Sequence, residues 1–327
     1  MKIRDVFERL PDSVRKDLVR RRAEFRGIGQ LKLNQSLLAG RLAALEDRLD
    51  GPLQTTAVPD QRFPPHVRSK LCTQAQLSEP WFARWSEALA QKAIAHRKHW
   101  EFAYIAEVLD SLGQLEPGRR GLGFGVGREP LVSAFANRGV DVMATDLAVD
   151  EKEALGWARS GQLAQGVDAM LWPELCDPER FRERVSWRAV DMTDIPKDLT
   201  GFDFCWSACA LEHLGTLDAG LEFVERSIDT LAPGGIAVHT TEYNVLSNDD
   251  TIETGPTVVY RERDVIALRD RLEAAGHEVA ALDLSPGEGL LDKYVDVPPY
   301  ADEPVLRFLY SGYTLTSVAI VVRARPA

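Results

Sequence analysis

The run Arg120-Gly121-Leu122-Gly123-Phe124-Gly125-Val126-Gly127 places glycines at alternate positions, and Asp146 follows Gly127 by 19 residues, closing Val140-Asp141-Val142-Met143-Ala144-Thr145. A glycine-rich turn between a strand and a helix lets backbone approach a cofactor closely, and an acid at the tip of the next strand can hold two ribose hydroxyls. The pattern predicts a nucleoside-cofactor site. A dinucleotide fingerprint, G-x-G-x-x-G or G-x-G-x-x-A, fails in both registers: Val126 takes the last place counted from Gly121, and Arg128 takes it from Gly123. That spacing disfavours a nicotinamide oxidoreductase and leaves G-x-G-x-G at Gly123, Gly125 and Gly127.

Further signals follow in a fixed order. Ala189-Val190-Asp191-Met192 closes a third strand, Phe202-Asp203-Phe204-Cys205-Trp206-Ser207 reads as a fourth, and Leu211-Glu212-His213-Leu214 comes next. A helix then ends in Leu231-Ala232-Pro233-Gly234-Gly235, and Ile236-Ala237-Val238-His239-Thr240 reads as a fifth strand. Over about residues 95 to 325 this series resembles the class I S-adenosyl-L-methionine (SAM)-dependent methyltransferases. The resemblance implies a Rossmann-like α/β sheet with helices on both faces and SAM as cofactor. Gly123, Gly125, Gly127, Asp146, Asp191, Met192 and Ser207 would bind it. One position departs: two residues before the first motif glycine the family usually carries an acid that holds the amino group of the cofactor's methionine part, and here stands Gly121. Glu129, read as lying just inside the following helix, could replace that acid, or could simply be a first-turn residue that favours the helix dipole.

Methyl transfer from a sulfonium is an in-line displacement governed by positioning, often with one base. Such groups stand at the carboxyl ends of parallel strands, where the sequence offers Ser207, Glu212 and His213, then His239, Glu242, Tyr243 and Asn244. His213, His239 and Glu242 are the catalytic candidates. His213 and Glu212 have an alternative as helix-start residues, and His239 as a core histidine. His213, His239, Glu212 and Glu242 could also gather a divalent ion, but no tight ligand spacing supports one, and no metal is expected. The expected activity is O-methylation of a hydroxyl-rich acceptor such as a sugar of a glycan. The alternatives are N- or O-methylation of a small natural product, and a non-enzymatic coiled-coil scaffold with a degenerate methyltransferase domain, which Gly121 keeps open. The polar loop Asn244 to Tyr260 and the acidic insertion Glu288 to Glu303, with Tyr294, Asp296 and Tyr300, are the expected acceptor elements.

Three segments are expected to carry this chemistry: a helical stalk at 1–50, a linker and helical cap at 51–94, and the SAM-binding domain at 95–327. In the stalk, Ile28, Leu42 and Leu49 share one heptad position with Gln35, while Leu31, Leu38 and Leu45 share the other, as in a short coiled coil that would join copies of the chain. A helix packed on its own domain is the alternative reading. Ser78-Glu79-Pro80 starts a helix, and a second amphipathic run extends from about Lys92 to Leu112; the family resemblance implies that this helix roofs the cofactor, which makes Arg97, Trp100 and Tyr104 candidate lid residues, with core packing as the alternative for the two aromatics. A helix over 264–275 leads to a sixth strand over 277–282, and Ser317 to Val322 suits the last strand, which in the resembled family pairs antiparallel near the edge.

The 327 residues carry a net charge of -11, which argues against nucleic acid as partner. The charge is uneven: residues 1–50 hold 12 Lys and Arg against 8 Asp and Glu, leaving -15 for the rest. The basic cluster around Arg20-Arg21-Arg22 reads first as a solvated helix face, with peripheral contact to an anionic membrane surface or an acidic glycan as the alternatives. No run approaches the ~20 apolar residues of a bilayer span. The N-terminus lacks the apolar core of a secretory signal, and a cytoplasmic location is expected. Cys72, Cys176, Cys205 and Cys209 are too scattered for a disulfide framework.

Overall fold

A computed structural model describes residues 27, 29–36, 38–42, 45, 62–148 and 166–327. Nine strands form the main sheet: β1 (Arg120–Gly123), β2 (Asp141–Asp146), β3 (Val185–Ala189), β4 (Phe202–Ala208), β5 (Leu231–Asn244), β6 (Glu278–Val279), β7 (Val295–Asp296), β8 (Arg307–Tyr310) and β9 (Tyr313–Arg323). Their spatial order is β3-β2-β1-β4-β5-β9-β8-β7, with β6 also paired to β9. β1 to β5 run parallel. β9 runs antiparallel to β5, from Leu315 opposite Asn244 to Arg323 opposite Ile236.

Both faces of the sheet are covered, which is why β1, β4 and the middle of β5 are apolar without strict alternation. One layer contains α1 (Pro80–Ala88), α2 (Arg97–Ser111), α3 (Leu131–Asn137) and α4 (Pro178–Arg184). Trp85, Trp100, Tyr104, Phe135 and Phe181 from these helices pack on Phe204, Trp206, Ile236 and Val238. On the other face lie α5 (Leu217–Ile228) and α6 (Glu262–Ala274), whose Leu221, Val224, Leu268 and Leu272 meet Cys205, Ala237 and Ile320. Local signals account for the ends. The Thr216 hydroxyl caps α5 by accepting from the Ala219 amide at 3.1 Å, and α2 gives way to Gly113 at φ +68°.

Several boundaries move from the sequence expectation. β5 extends to Asn244, four residues beyond the predicted strand, because β9 pairs with it from Ile236 through Asn244. β3 stops at Ala189, which leaves Asp191 and Met192 on a loop. Of the expected sixth strand only Glu278–Val279 joins the main sheet; Leu282–Asp283 pairs with Ser69–Lys70 instead. Phe63, Val67, Trp81 and Phe82 share one core with Trp100 and Tyr104, so residues 62–94 pack into the sheet domain.

Residues 29–36 and 38–42 are helical, while Ile28, Leu49 and the cluster at Arg20 to Arg22 lie outside the described residues. The described heptad leucines Leu31, Leu38, Leu42 and Leu45 are exposed. A different stripe faces the domain. Lys32 meets Asp296 at 2.9 Å, the Ser36 hydroxyl bonds that of Tyr294 at 2.8 Å, and Ser36 and Ala39 are buried. Among the described residues no helix is long and apolar enough to cross a membrane.

Candidate active site

A cavity of about 660 Å³ opens at the carboxyl ends of the parallel strands, within the range of small-molecule and cofactor sites. Gly125, Gly127, Glu129, Asp146, Asp191 and Met192 line it together with Arg97, Lys98, Glu212, His213 and Glu242. Gly125 and Gly127 have φ of +59° and +51°, a left-handed turn that L side chains rarely adopt. A Cβ at Gly125 would lie 2.8 Å from the Ala210 Cβ. The loop is therefore a cradle that only glycine fits. Asp146 is 9% exposed at the end of β2, with Oδ1 accepting from the Leu147 amide at 2.9 Å. This set suits the nucleoside part of SAM: backbone that permits close approach, a carboxylate for the ribose, and the Met192 side chain on the cavity wall.

The two remaining cofactor candidates do not line the cavity. Gly123 faces Val126 and Trp206, where a Cβ would come within 2.5 Å of both. Ser207 is fully buried, and its hydroxyl bonds the His239 Nδ1 at 2.8 Å. His239 itself is enclosed: Nε2 meets the Ser227 hydroxyl at 3.0 Å, Phe223 packs edge-on at 5.3 Å, and burial lowers its pKa to about 3. Strand geometry explains this. Successive side chains alternate faces, so His239 and Glu242, three apart on β5, point to opposite sides, and Ser207 is the cross-strand partner of His239.

Glu242 reaches the cavity. Its Oε1 pairs with the Arg97 Nη2 at 2.7 Å, while its buried Oε2 has no hydrogen-bond partner among the described residues. Burial, only partly offset by Arg97 and reinforced by Glu212, raises its pKa to about 7. Arg97 also meets Glu101 at 3.2 Å and the Ser317 hydroxyl at 3.1 Å, and its guanidinium lies 4.4 Å from the Phe308 ring. Burial works against ionisation of Glu101, but Lys98, Arg97 and the Ser317 hydroxyl outweigh it and hold the carboxyl below its ordinary range. His213 sits on the cavity wall, with Nδ1 donating to the Pro256 carbonyl at 2.7 Å and Nε2 3.8 Å from Glu212. The Glu212 Oε2 accepts from the Thr241 hydroxyl at 3.0 Å.

Other expected residues serve packing. Trp100 stacks on Tyr104 in the core, so of the three lid candidates only Arg97 lines the cavity. Asn244 organises the following turn, accepting from the Leu246 amide at 2.9 Å. Tyr294 and Asp296 hold the N-terminal helix, and Tyr300 donates to the Leu309 carbonyl, so the acidic insertion contributes none of the three to the cavity wall. Phe308 and Tyr310 of β8 take that place. Sequence reasoning passed over them, and over Lys98 and Glu101, although Arg97-Lys98-x-x-Glu101 has the i,i+3 and i,i+4 spacing of helix ion pairs. All four cysteines are free and buried. Cys209, at φ +49°, offers Sγ within 4.8 Å of Glu212 and Glu242 oxygens. Burial raises its thiol well above the ordinary value, and Arg97 already occupies the Glu242 carboxylate.

No family model matches the chain, and no curated protein sequence matches it. Solved structures do. A protein assigned as a sarcosine dimethylglycine methyltransferase from Galdieria sulphuraria aligns at 16% identity and TM-score 0.31, covering 54% of this chain and 52% of that one. This chain thus spans about half that protein's length. The Burkholderia thailandensis 1,6-didemethyltoxoflavin-N1-methyltransferase, solved with S-adenosylhomocysteine, aligns at 17% identity and TM-score 0.40 over 70% of this chain and 78% of its own. An amino pentose methyltransferase from Micromonospora echinaspora, solved with SAM, gives 17%, 0.39, 74% and 95%. Likeness at this level says nothing of substrate. The strand order of β1 to β5, with antiparallel β9 set between β5 and β6, stands independently of it. With the glycine turn after β1 and Asp146 closing β2, the chain has the fold of the class I SAM-dependent methyltransferases.

Proposed function

We propose that this chain is a SAM-dependent methyltransferase acting on a hydroxyl group. The observation that carries the reading is one continuous cavity, lined by a glycine cradle and Asp146 together with a buried, half-paired Glu242. Bound SAM supplies a methyl group on a sulfonium. Asp146 accepts hydrogen bonds from the ribose hydroxyls, and Gly125 and Gly127 keep the backbone within reach of the cofactor.

Glu242 is the base. A carboxylate poised near neutrality suits proton removal from a weakly acidic hydroxyl, and Oε2 would take that proton as the acceptor oxygen gains the methyl group and the sulfonium–methyl bond breaks, leaving SAH. Arg97 holds the other oxygen and fixes the carboxyl's orientation. His213 stands on the same wall as a second polar contact for the acceptor. His239 ties β5 to β4 through Ser207 and to α5 through Ser227. Phe102, Phe308, Tyr310 and Leu315 give the acceptor part an apolar and aromatic wall, which suits the flat faces of a sugar ring or an aromatic natural product. A terminal sugar of a glycan and a small natural product share this chemistry. Homo-oligomerisation through the exposed Leu31, Leu38, Leu42 and Leu45 belongs to the same reading.

Calorimetry with S-adenosylhomocysteine (SAH), SAM and NAD tests it. SAH and SAM are expected to bind, NAD is not, and Asp146→Ala should weaken SAH by roughly 1.5 to 3 kcal/mol, the range of a hydrogen bond to a charged group. Unchanged SAH affinity in the folded variant removes the reading.

A further inference from the structure

The cavity wall contains a buried acid that the reading above leaves without a task. Glu129 follows the glycine turn by two residues, is 7% exposed and lines the cavity. It accepts a hydrogen bond from the Trp206 indole at 2.5 Å. The strand side of the same turn is closed. A Cβ at Gly121 would lie 2.4 Å from the Phe204 ring, which is itself fully buried between Phe135 and Trp206. No side chain at position 121 could reach the cavity without displacing that ring, so this position cannot supply an anion, whereas Glu129 on the helix side of the turn lines the cavity.

Desolvation raises the Glu129 carboxyl to about 8, against the Trp206 hydrogen bond, which lowers it. Among its charged surroundings, Lys98 from α2 lowers it, while Asp146 from β2 and Glu101 from α2 raise it. A buried carboxyl beside open space is costly to ionise, and a cation placed against it offsets that cost.

We propose that Glu129 is the anion that receives the α-ammonium of the cofactor's methionine part, reached from the helix side of the glycine turn because Phe204 closes the strand side. The inference rests on the methyltransferase reading. Binding of the ammonium moves the carboxyl from its protonated to its ionised form, so cofactor uptake near pH 7 releases a proton.

The experiment compares SAH with 5′-methylthioadenosine, which keeps the nucleoside thioether but lacks the amino-acid part. Glu129→Gln should weaken SAH about 10- to 100-fold and 5′-methylthioadenosine less than about 3-fold, since only the former carries the ammonium. Calorimetry in buffers of different ionisation enthalpy should show release of close to one proton when the parent binds SAH at about pH 7, and none with 5′-methylthioadenosine. In the parent alone, SAH affinity should rise by up to about tenfold per pH unit below about 8 and level off above it, while 5′-methylthioadenosine stays flat. That measurement serves even where the variant does not fold. Equal losses for both ligands, or no loss for either, overturn the assignment of Glu129 while leaving the cofactor reading intact. Failure of the parent to bind either ligand overturns both.

Discussion

Gly125→Ala probes the cradle most directly. Two costs are readable from the structure. The residue sits at φ +59°, and holding alanine in the left-handed region costs about 1 to 2 kcal/mol. The added methyl also stands 2.8 Å from the Ala210 Cβ, and overpacking of this kind costs typically ~1 to 3 kcal/mol. The Met192 sulfur at 3.4 Å adds only an ordinary tight contact. The loop relieves the clash by shifting toward the open cavity, so the cost falls on SAH binding: about 2 kcal/mol or more, roughly 30-fold in Kd. Ala210 has φ -114°, which glycine adopts without difficulty. Ala210→Gly in the Gly125→Ala background should therefore recover the steric part and leave the conformational part. The assay is a double-mutant cycle read by SAH calorimetry, with thermal melts to confirm folding. A coupling of about 1 to 3 kcal/mol is expected. Strict additivity, or SAH affinity unchanged in Gly125→Ala, would refute the cradle.

Glu242→Gln keeps the side chain's shape and leaves Glu101 to balance Arg97. It should lower kcat about 10²- to 10⁴-fold without comparable loss of SAH affinity. The parent's rate should rise with pH through about 7, as Glu242 loses its proton, and the variant should lack that inflection; turnover within about threefold of the parent, followed by methyl transfer from labelled SAM to a panel of hydroxyl acceptors, contradicts the assignment. His239 has a folded pKa depressed to about 3 from 6.5. Below about pH 6.5 the unfolded chain takes up a proton that the folded chain refuses, so stability falls by up to roughly 1.4 kcal/mol per pH unit as the pH drops toward 3. His239→Gln should flatten that acid limb in denaturant titrations, and an unchanged limb would show that His239 charges in the folded state. Light scattering of the full chain should report a multiple of the single-chain mass that Leu31→Glu with Leu38→Glu reduces to one chain; an unaltered mass leaves the leucine stripe as a solvent-facing surface.

The sequence by itself determined the features that depend on neighbours along the chain. Gly125 and Gly127 were legible because a left-handed turn has a residue preference that needs no tertiary context, and Asp146 because it closes an apolar run at the expected distance from them. α2 and α6 announced themselves by apolar periodicity. Tertiary structure decided the rest of the site. His239 and Glu242 read alike in sequence, since the strand seemed to end at Thr240; only pairing with β9 carries β5 on to Asn244, and the alternation of side chains then sends the histidine into the core and the acid into the cavity. Arg97 and Ser317 lie 220 residues apart, and no local pattern shows that Arg97 is shared between Glu101 and Glu242. The acidic insertion looked like acceptor machinery because its composition is polar, yet Asp296 and Tyr294 hold the N-terminal helix, since a buried carboxylate takes the lysine that reaches it. Gly121 looked like a missing acid. In three dimensions it is space that the Phe204 ring occupies, a fact that spacing along one chain has no means of encoding.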